Sequence, residues 1–305
     1  RASLFTFVEY TAILKAFGWG QTNLNRWQRI HLAIIILAFR CGLRRGELQS
    51  LQVKDFKTRV KAELRIRPSR FFDPKSVSGN RRIPIDTLLT KPELAFILGL
   101  HKERKAEQQL EPSELFFYHP QFGKNLIPVP LLFDEIVNIA RRITRDETVT
   151  FHTFRHAFAT WTFLRLAWRE DLSIINKPAS MDDVFFLPKN LQKLKGDLLQ
   201  NEKMGVRSLA ALSMILGHSD ILTTMRHYVH LTDFFGGAVL RHSIMAPDLS
   251  PKAIQALGQY GQAAPYKQLD RHANPAERLA QLLRRTIKET GGQFDIKHRG
   301  SKILP

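Results

Sequence analysis

The sequence predicts a mainly α-helical chain that contains one small antiparallel β-sheet. Most apolar residues recur at helical spacing in long segments, and this periodicity is the main signal for helices. Alternation of apolar and polar residues, which is typical of strands, occurs in residues 60–66 and again in residues 81–85. Pro74, Gly79 and Asn80 lie between the two stretches, which indicates a hairpin or small sheet with a flexible connection.

Helices are predicted before and after this sheet. The first covers residues 1–18, and the second covers residues 23–41, where dense apolar content indicates a buried helix. Gly42 is suited to end the second helix, because glycine adopts the left-handed backbone conformation that helix ends favour. Further helices are predicted at about residues 91–108, 130–145, 153–168, 206–217 and 220–235.

The last part of the chain, residues 241–305, is predicted to be a looser tail with one helix. Asn274 is a suitable N-cap, Pro275 suits the first helical position, and Glu277 can complete a capping box. These signals, followed by apolar residues at helical spacing, predict a helix at about 275–289.

Positive charge dominates the 305-residue chain. Lysine and arginine total 46 against 28 aspartate and glutamate residues, which gives a formal net charge of +18. Such an excess favours a nucleic-acid partner over a membrane surface, because each phosphate that is neutralised releases condensed counterions. No apolar run approaches the ~18 residues that a membrane span needs, so no membrane partner is expected.

The cysteine content limits the structural chemistry. Cys41 is the single cysteine, which excludes an internal disulfide and a zinc site built from several cysteines. A single thiol fits a reducing, intracellular setting. The chemistry considered below requires no cofactor and no metal.

Several side chains that suit attack on a phosphodiester lie at or near predicted element boundaries. They are Arg44, Lys75, His152, Arg155, His218 and Tyr228. Guanidinium groups bind phosphate oxygens bidentately and stabilise the negative charge that develops in the transition state. A tyrosine hydroxyl, with a pKa near ~10, needs a base or nearby cations to become a nucleophile. A histidine can supply the base, and a lysine in a turn can protonate the leaving oxygen.

Simpler interpretations exist for some of these residues. Arg44 could cap the C-terminus of a helix, where positive charge is favoured. Lys57 and Lys61 are alternatives to Lys75 as the general acid, because the alignment of the hairpin is loose. Tyr228 could be a core tyrosine whose hydroxyl is satisfied.

The other histidines are expected to be structural. His152 and His156 have the spacing of a helical zinc site, but no third ligand is evident, so a structural role is favoured for His156. His227 and His230 are interpreted as surface or packing residues, with a minor alternative that His227 assists near the tyrosine.

Four boxes in the sequence resemble those of tyrosine recombinases of the phage-integrase type. Cys41–Leu51 (CGLRRGELQSL) is similar to the first arginine box, and Pro74–Ile85 resembles the lysine-bearing hairpin. His152–Thr160 (HTFRHAFAT) is similar to the second arginine box, and Leu216–His230 resembles the ending with histidine and tyrosine. Each box alone is a weak signal, but four in the family's order over about residues 40–230 are specific.

The resemblance implies a role for seven residues. Arg44 and Arg155 would hold the scissile phosphate, and His218 would bind the phosphate in the transition state. Tyr228 would form a 3′-phosphotyrosyl link, and His152 would transfer a proton near this nucleophile. Lys75 would be the general acid, and Glu47 would orient the site. Because this link keeps the energy of the broken bond, rejoining needs no ATP and no cofactor.

The resemblance also implies a fold, a reaction and partners. The fold would be the catalytic fold shared with type IB topoisomerases, and the reaction would be site-specific recombination that integrates or excises a mobile element. Four identical protomers would act on double-stranded DNA, in the cytoplasm of a prokaryote beside its nucleoid. Two alternatives stay open: a topoisomerase that relaxes DNA without a specific site, and a DNA-binding module without catalysis.

Two departures from the family pattern affect the domain boundaries and the site. The family usually places the tyrosine one residue closer to the histidine of the last box, at the position of His227. The gap between Arg155 and His218, 63 residues, is longer than usual, so residues 169–205 are interpreted as an insertion. We expect residues 1–240 to form the catalytic domain. Because only about 40 residues precede the first box, the amino-terminal DNA-clamping domain of full-length relatives is expected to be absent.

Overall fold

The part of the chain that the structure describes is mainly α-helical with one three-stranded antiparallel sheet, as predicted. The computed structural model describes residues 4–74, 77–107, 111, 113–167, 184–199 and 206–229. The helices are α1 Phe7–Ala16, α2 Arg26–Cys41, α3 Arg45–Gln49, α4 Ile85–Leu88, α5 Lys91–Ala106, α6 Val129–Thr144, α7 His152–Ala167, α8 Pro188–Leu199, α9 Val206–Leu216 and α10 Ile221–His227. The strands are β1 Phe56–Lys57, β2 Glu63–Ile66 and β3 Arg81–Pro84.

The chain divides into two compact units, Arg1–Leu231 and Thr232–Pro305. All the helices and strands named above lie in the first unit. The predicted tail with its helix at about 275–289 lies outside the described residues. The predicted general acid Lys75 also lies outside them, as does most of the predicted insertion.

Side-chain caps fix the starts of the long helices. Thr6, Asn25 and Thr90 each accept a hydrogen bond from the backbone N–H three residues later, at α1, α2 and α5. The side-chain oxygen of that third residue accepts in turn from the backbone N–H of the cap, which completes a capping box. The predicted helices at 91–108, 130–145 and 206–217 appear within two residues of their predicted bounds.

The sheet has the order β1-β2-β3, with both pairs antiparallel. Leu64 of β2 lies opposite Ile83 of β3 and opposite Phe56 of β1, and all three side chains are buried. The predicted pairing of the two alternating stretches is therefore confirmed. β1 was not predicted, because two residues are too short to show an alternation.

Helix α2 lies at the centre of the core, and its residues Leu32–Ala38 are fully buried. It packs against α6 and α7, and α1 packs against α6. The indole N–H of Trp161 in α7 donates to the Phe5 carbonyl oxygen at 2.7 Å, which ties the start of the chain to α7. No helix among the described residues is long and apolar enough to cross a membrane.

The described part of the predicted insertion packs on the rest of the fold. Asp197 of α8 accepts from Lys61 at 2.9 Å and from the Thr87 hydroxyl at 2.6 Å. The Lys193 ammonium donates to the Asp86 carbonyl oxygen at 2.7 Å. α8 is therefore fixed to α4 and to the loop before β2 by polar contacts that local sequence patterns do not show.

The end of α2 generates a stability prediction. Gly42 has a φ of 65°, and a Cβ at this position would overlap the ring of Phe158. Gly42→Ala should therefore destabilise the protein by more than the roughly 1–2 kcal/mol that the left-handed conformation costs. Gly99→Ala in α5, where a Cβ meets no atom, should stabilise it by about 0.5–1 kcal/mol. Urea titrations measure both changes, and unchanged stability in Gly42→Ala would contradict this packing.

Candidate active site

The predicted site residues that the structure describes lie where helices begin or end. Arg44 is the N-cap of α3, and His152 and Arg155 are in the first turn of α7. His218 follows α9, and Tyr228 follows α10. These four segments meet in one place, so residues that are far apart in sequence come within contact distance.

Tyr228 contacts three histidines. Its hydroxyl lies 3.2 Å from His152 Nε2. Its ring stacks on the His156 ring, with centroids 4.9 Å apart and planes 22° apart, and it lies 4.5 Å from the His218 ring. His227, one residue earlier, is exposed. The structure thus brings Tyr228 rather than His227 into the cluster.

Arg155 is the most deeply buried charged residue of the site, with 1% of its surface exposed. Its two terminal nitrogens donate to the carbonyl oxygens of Gly42 and Leu216, at the ends of α2 and α9. One of them also lies 3.0 Å from His218 Nε2. The guanidinium carbon is 5.2 Å from the centre of the Tyr228 ring. Burial and the nearby charge of Arg44 lower the pKa of Arg155 to about 9, which leaves it charged at neutral pH.

Glu47 is a buried carboxylate that binds two arginines. Arg81 donates to both its oxygens, at 2.8 and 2.9 Å, and the Arg44 guanidinium donates at 3.0 Å. Burial would raise the pKa of Glu47, but the charge and hydrogen bonds of Arg81 lower it to about 2. The carboxylate is therefore ionised and holds both side chains in place.

Arg81 is a site residue that the sequence prediction missed. Besides Glu47, it donates to the Ile215 carbonyl oxygen at 2.6 Å and to the Gly79 carbonyl oxygen at 3.0 Å. It therefore links β3 to α3 and to the last turn of α9. One signal could have identified it: Arg81 and Ile83 alternate onto the same buried face of β3, and a buried arginine needs a carboxylate partner.

The charges of these residues do not balance. Among the described residues, three guanidiniums, those of Arg44, Arg81 and Arg155, surround the single carboxylate of Glu47. The Arg44 side chain is 35% exposed and the other two are buried, so Arg44 is the cation that opens to solvent. A site of this kind attracts an anion with several acceptor oxygens, such as a phosphodiester.

Both predicted site histidines are held in the neutral form. Burial and the charge of Arg155 lower the pKa of His152 to about 4 and that of His218 to about 3. A neutral imidazole has one nitrogen that accepts a hydrogen bond. His152 therefore has the protonation state that a base beside the Tyr228 hydroxyl requires.

Two other predictions concern groups near the site. Lys61, one of the two alternatives to Lys75, forms an ion pair with Asp197 of α8 at 2.9 Å. His152 and His156 lie side by side, with ring centroids 4.9 Å apart. The described part of the chain contains no group of three or more histidine, cysteine, aspartate or glutamate side chains that could hold a metal ion.

Comparisons with known proteins give similar solved structures but no similar sequences. No protein-family model matches the chain. No curated protein matches it either. One similar structure is that of the XerA recombinase, with 16% identity, a TM-score of 0.48, and coverage of 78% of this chain and 61% of that one.

Two further solved structures are similar. The Tn1549 transposon integrase, in complex with transposon right end DNA, has 20% identity and a TM-score of 0.45, and the match covers 79% of this chain and 66% of that one. The XerH site-specific recombinase, bound to a palindromic difH substrate, has 15% identity and a TM-score of 0.47, with 77% and 51% covered. This chain thus spans 51% to 66% of the length of the three solved chains. By name they are two recombinases and an integrase.

The lowered histidine pKa values predict a loss of stability in acid. As pH falls below about 6.5, the histidines of the unfolded chain bind protons, whereas His152 and His218 in the folded site stay neutral. Acid therefore favours unfolding. Between pH 6 and 5, His218 should contribute up to about 1.4 kcal/mol per pH unit to this loss. Urea titrations at several pH values should show a smaller slope in His218→Gln and an unchanged slope in His227→Gln, which alters an exposed residue. Equal slopes in wild type and His218→Gln would contradict the neutral state of His218.

Proposed function

We propose that this chain is the catalytic part of a tyrosine recombinase, which cuts and rejoins DNA strands through a covalent bond to Tyr228. The observation that carries this proposal is the position of the Tyr228 hydroxyl, 3.2 Å from neutral His152 and beside the buried guanidinium of Arg155. A nucleophile, a base and a positive charge that can bind a phosphate therefore lie close together.

The nucleophile is activated by proton transfer. His152 Nε2 accepts the hydroxyl proton of Tyr228 as the phenolic oxygen attacks the phosphorus atom. The bond from phosphorus to the 5′-oxygen breaks, and this oxygen takes a proton from Lys75, the general acid. The products are a 3′-phosphotyrosyl link and a free 5′-hydroxyl, and the reverse reaction rejoins the strand without any cofactor.

Charge stabilisation comes from the two arginines of the first and third boxes. The partly exposed Arg44 and the buried Arg155 bind the non-bridging oxygens, whose negative charge increases in the transition state. His218 donates a further hydrogen bond from Nε2. Glu47 does not touch the DNA but fixes Arg44 through a contact of 3.0 Å.

The biological reaction is site-specific recombination. The four boxes support this class over a simple DNA-binding module, because Tyr228, His152 and Arg155 would have no reason to converge in a protein that only binds. The net charge of +18 supports double-stranded DNA as the partner. We further propose that four protomers act together on two DNA sites, that the reaction integrates or excises a mobile element, and that it takes place at the nucleoid of a prokaryote.

A nicked suicide duplex that carries the end of the element tests the nucleophile. Cleavage next to the nick releases a short fragment that diffuses away, so the covalent protein–DNA complex accumulates and is seen on a denaturing gel. Wild type should form this complex, and so should Tyr118→Phe, which removes a hydroxyl outside the site. Tyr228→Phe should reduce the complex by at least about 10³-fold, because no other group replaces the phenol.

Two outcomes would contradict the proposal. A covalent complex that survives in Tyr228→Phe would move the nucleophile to another residue. Relaxation of plasmid DNA that lacks any element end, at the rate seen with the end present, would indicate a topoisomerase instead of a recombinase.

A further inference from the structure

Two buried hydroxyl groups lie behind His218, on the side away from Arg155. The Thr224 hydroxyl is 2.9 Å from His218 Nδ1, and the Ser213 hydroxyl is 2.8 Å from that of Thr224. Thr224 is fully buried, and Ser213 is 3% exposed. Arg155, His218, Thr224 and Ser213 therefore form one continuous chain of hydrogen bonds across the site.

The direction of this chain follows from what each group can donate. Arginine has no acceptor, so His218 Nε2 must accept the bond from Arg155. A neutral imidazole that accepts at Nε2 carries its proton on Nδ1. The Thr224 hydroxyl oxygen then accepts from Nδ1, and either hydroxyl can donate the bond between Thr224 and Ser213.

Binding of a phosphate requires the opposite arrangement at His218. To donate to a phosphate oxygen, Nε2 must carry a proton. Either the ring keeps its Nδ1 proton and becomes positively charged, or the proton leaves Nδ1 and Thr224 donates to it. A hydroxyl can both accept and donate, so Thr224 provides a partner in each case, which an apolar side chain of the same shape cannot do.

The same two residues also hold the backbone on both sides of the site. The Thr224 carbonyl oxygen accepts from the Tyr228 N–H at 3.0 Å, and the Ser213 carbonyl oxygen accepts from the His218 N–H at 2.9 Å. The segment that carries the nucleophile and the segment that carries the phosphate-binding histidine are therefore joined by the bond between the two hydroxyls.

We propose that Thr224 and Ser213 form a hydroxyl relay that positions His218 and gives its Nδ1 a hydrogen-bond partner whichever ring nitrogen carries the proton. The relay residues are positioning residues, since they act on the DNA through His218. Their role in cleavage rests on the proposed function, but their effect on the His218 ring does not.

Nitrogen-15 NMR of the histidine rings in the DNA-free chain tests the relay directly, with His218→Gln used to assign the His218 signals. Wild type and Thr224→Ser should show a single neutral form with the proton on Nδ1. Thr224→Val, which keeps the shape and removes the hydroxyl, should shift the Nδ1–H signal, because Nδ1–H loses its hydrogen-bond acceptor. Thr223→Val is the matched control on the same helix and should resemble wild type.

Cleavage of the suicide duplex gives a second measurement. Thr224→Val should slow single-turnover cleavage by about 10–100-fold, as loss of a supporting hydrogen bond behind a working histidine does in metal sites. Its DNA affinity should stay within about 3-fold of wild type, since Thr224 is buried and neutralises no phosphate. Thr224→Ser should restore most of the rate.

The outcomes separate this proposal from the proposed function. If Thr224→Val retains the wild-type ring signals, the Thr224 hydroxyl is not the partner of Nδ1 and the relay is wrong. If wild type forms no covalent complex, the proposed function fails, and the NMR result still decides on the relay. If Thr224→Val does not fold, Ser213→Ala replaces it, and unchanged His218 signals in that variant would overturn the relay equally.

Discussion

The buried guanidinium of Arg155 is the interaction on which the geometry of the site depends. It binds the carbonyl oxygens of Gly42 and Leu216, so the C-terminal ends of α2 and α9 meet at one charged group. Helix C-termini favour positive charge, and both ends contribute at the same place. Arg44 follows Gly42 by two residues and His218 follows Leu216 by two residues, which is why both lie beside Arg155. The site is thus a consequence of how two helices end.

A buried positive charge is costly unless it is compensated, and the compensation explains the surrounding residues. Glu47 is the single carboxylate among the described residues of the cluster, and it is already bound by Arg81 and Arg44. The site therefore holds more positive than negative charge without DNA. In the proposed complex the phosphate supplies the missing negative charge. Burial and the surrounding cations together lower the pKa of both histidines and keep them neutral.

The sequence predicted the parts of the fold that depend on local patterns. Periodicity located α2, and the left-handed backbone at Gly42 follows from its position after an apolar helix. Partners that are distant in sequence could not be predicted in this way. Arg81 and Glu47 are 34 residues apart, and Ser213 and Thr224 pair their hydroxyls only because α9 and α10 pack together.

The extra residue before Tyr228 also shows what sequence patterns alone cannot predict. Counting along the sequence put His227, one residue before Tyr228, at the position where the family usually has its tyrosine. In the structure α10 ends at His227, and Tyr228 leaves the helical conformation with φ −121° and ψ −26°. This turn at the end of the helix directs Tyr228 to His152, and Thr160 fixes it by donating to the Tyr228 carbonyl oxygen at 3.1 Å. A spacing rule that assumes a continuous helix cannot predict that the helix ends before Tyr228 and that this side chain turns towards His152.

The proposed mechanism requires Arg44, Arg155 and residue 228 to share one phosphate of the DNA backbone. An experimental structure of Tyr228→Phe bound to an uncleaved duplex would show whether they do. We expect one phosphate whose non-bridging oxygens lie within about 3 Å of nitrogens of both guanidiniums, with the substituted ring beside its phosphorus atom. A complex in which the phosphate nearest to residue 228 touches neither Arg44 nor Arg155 would contradict it.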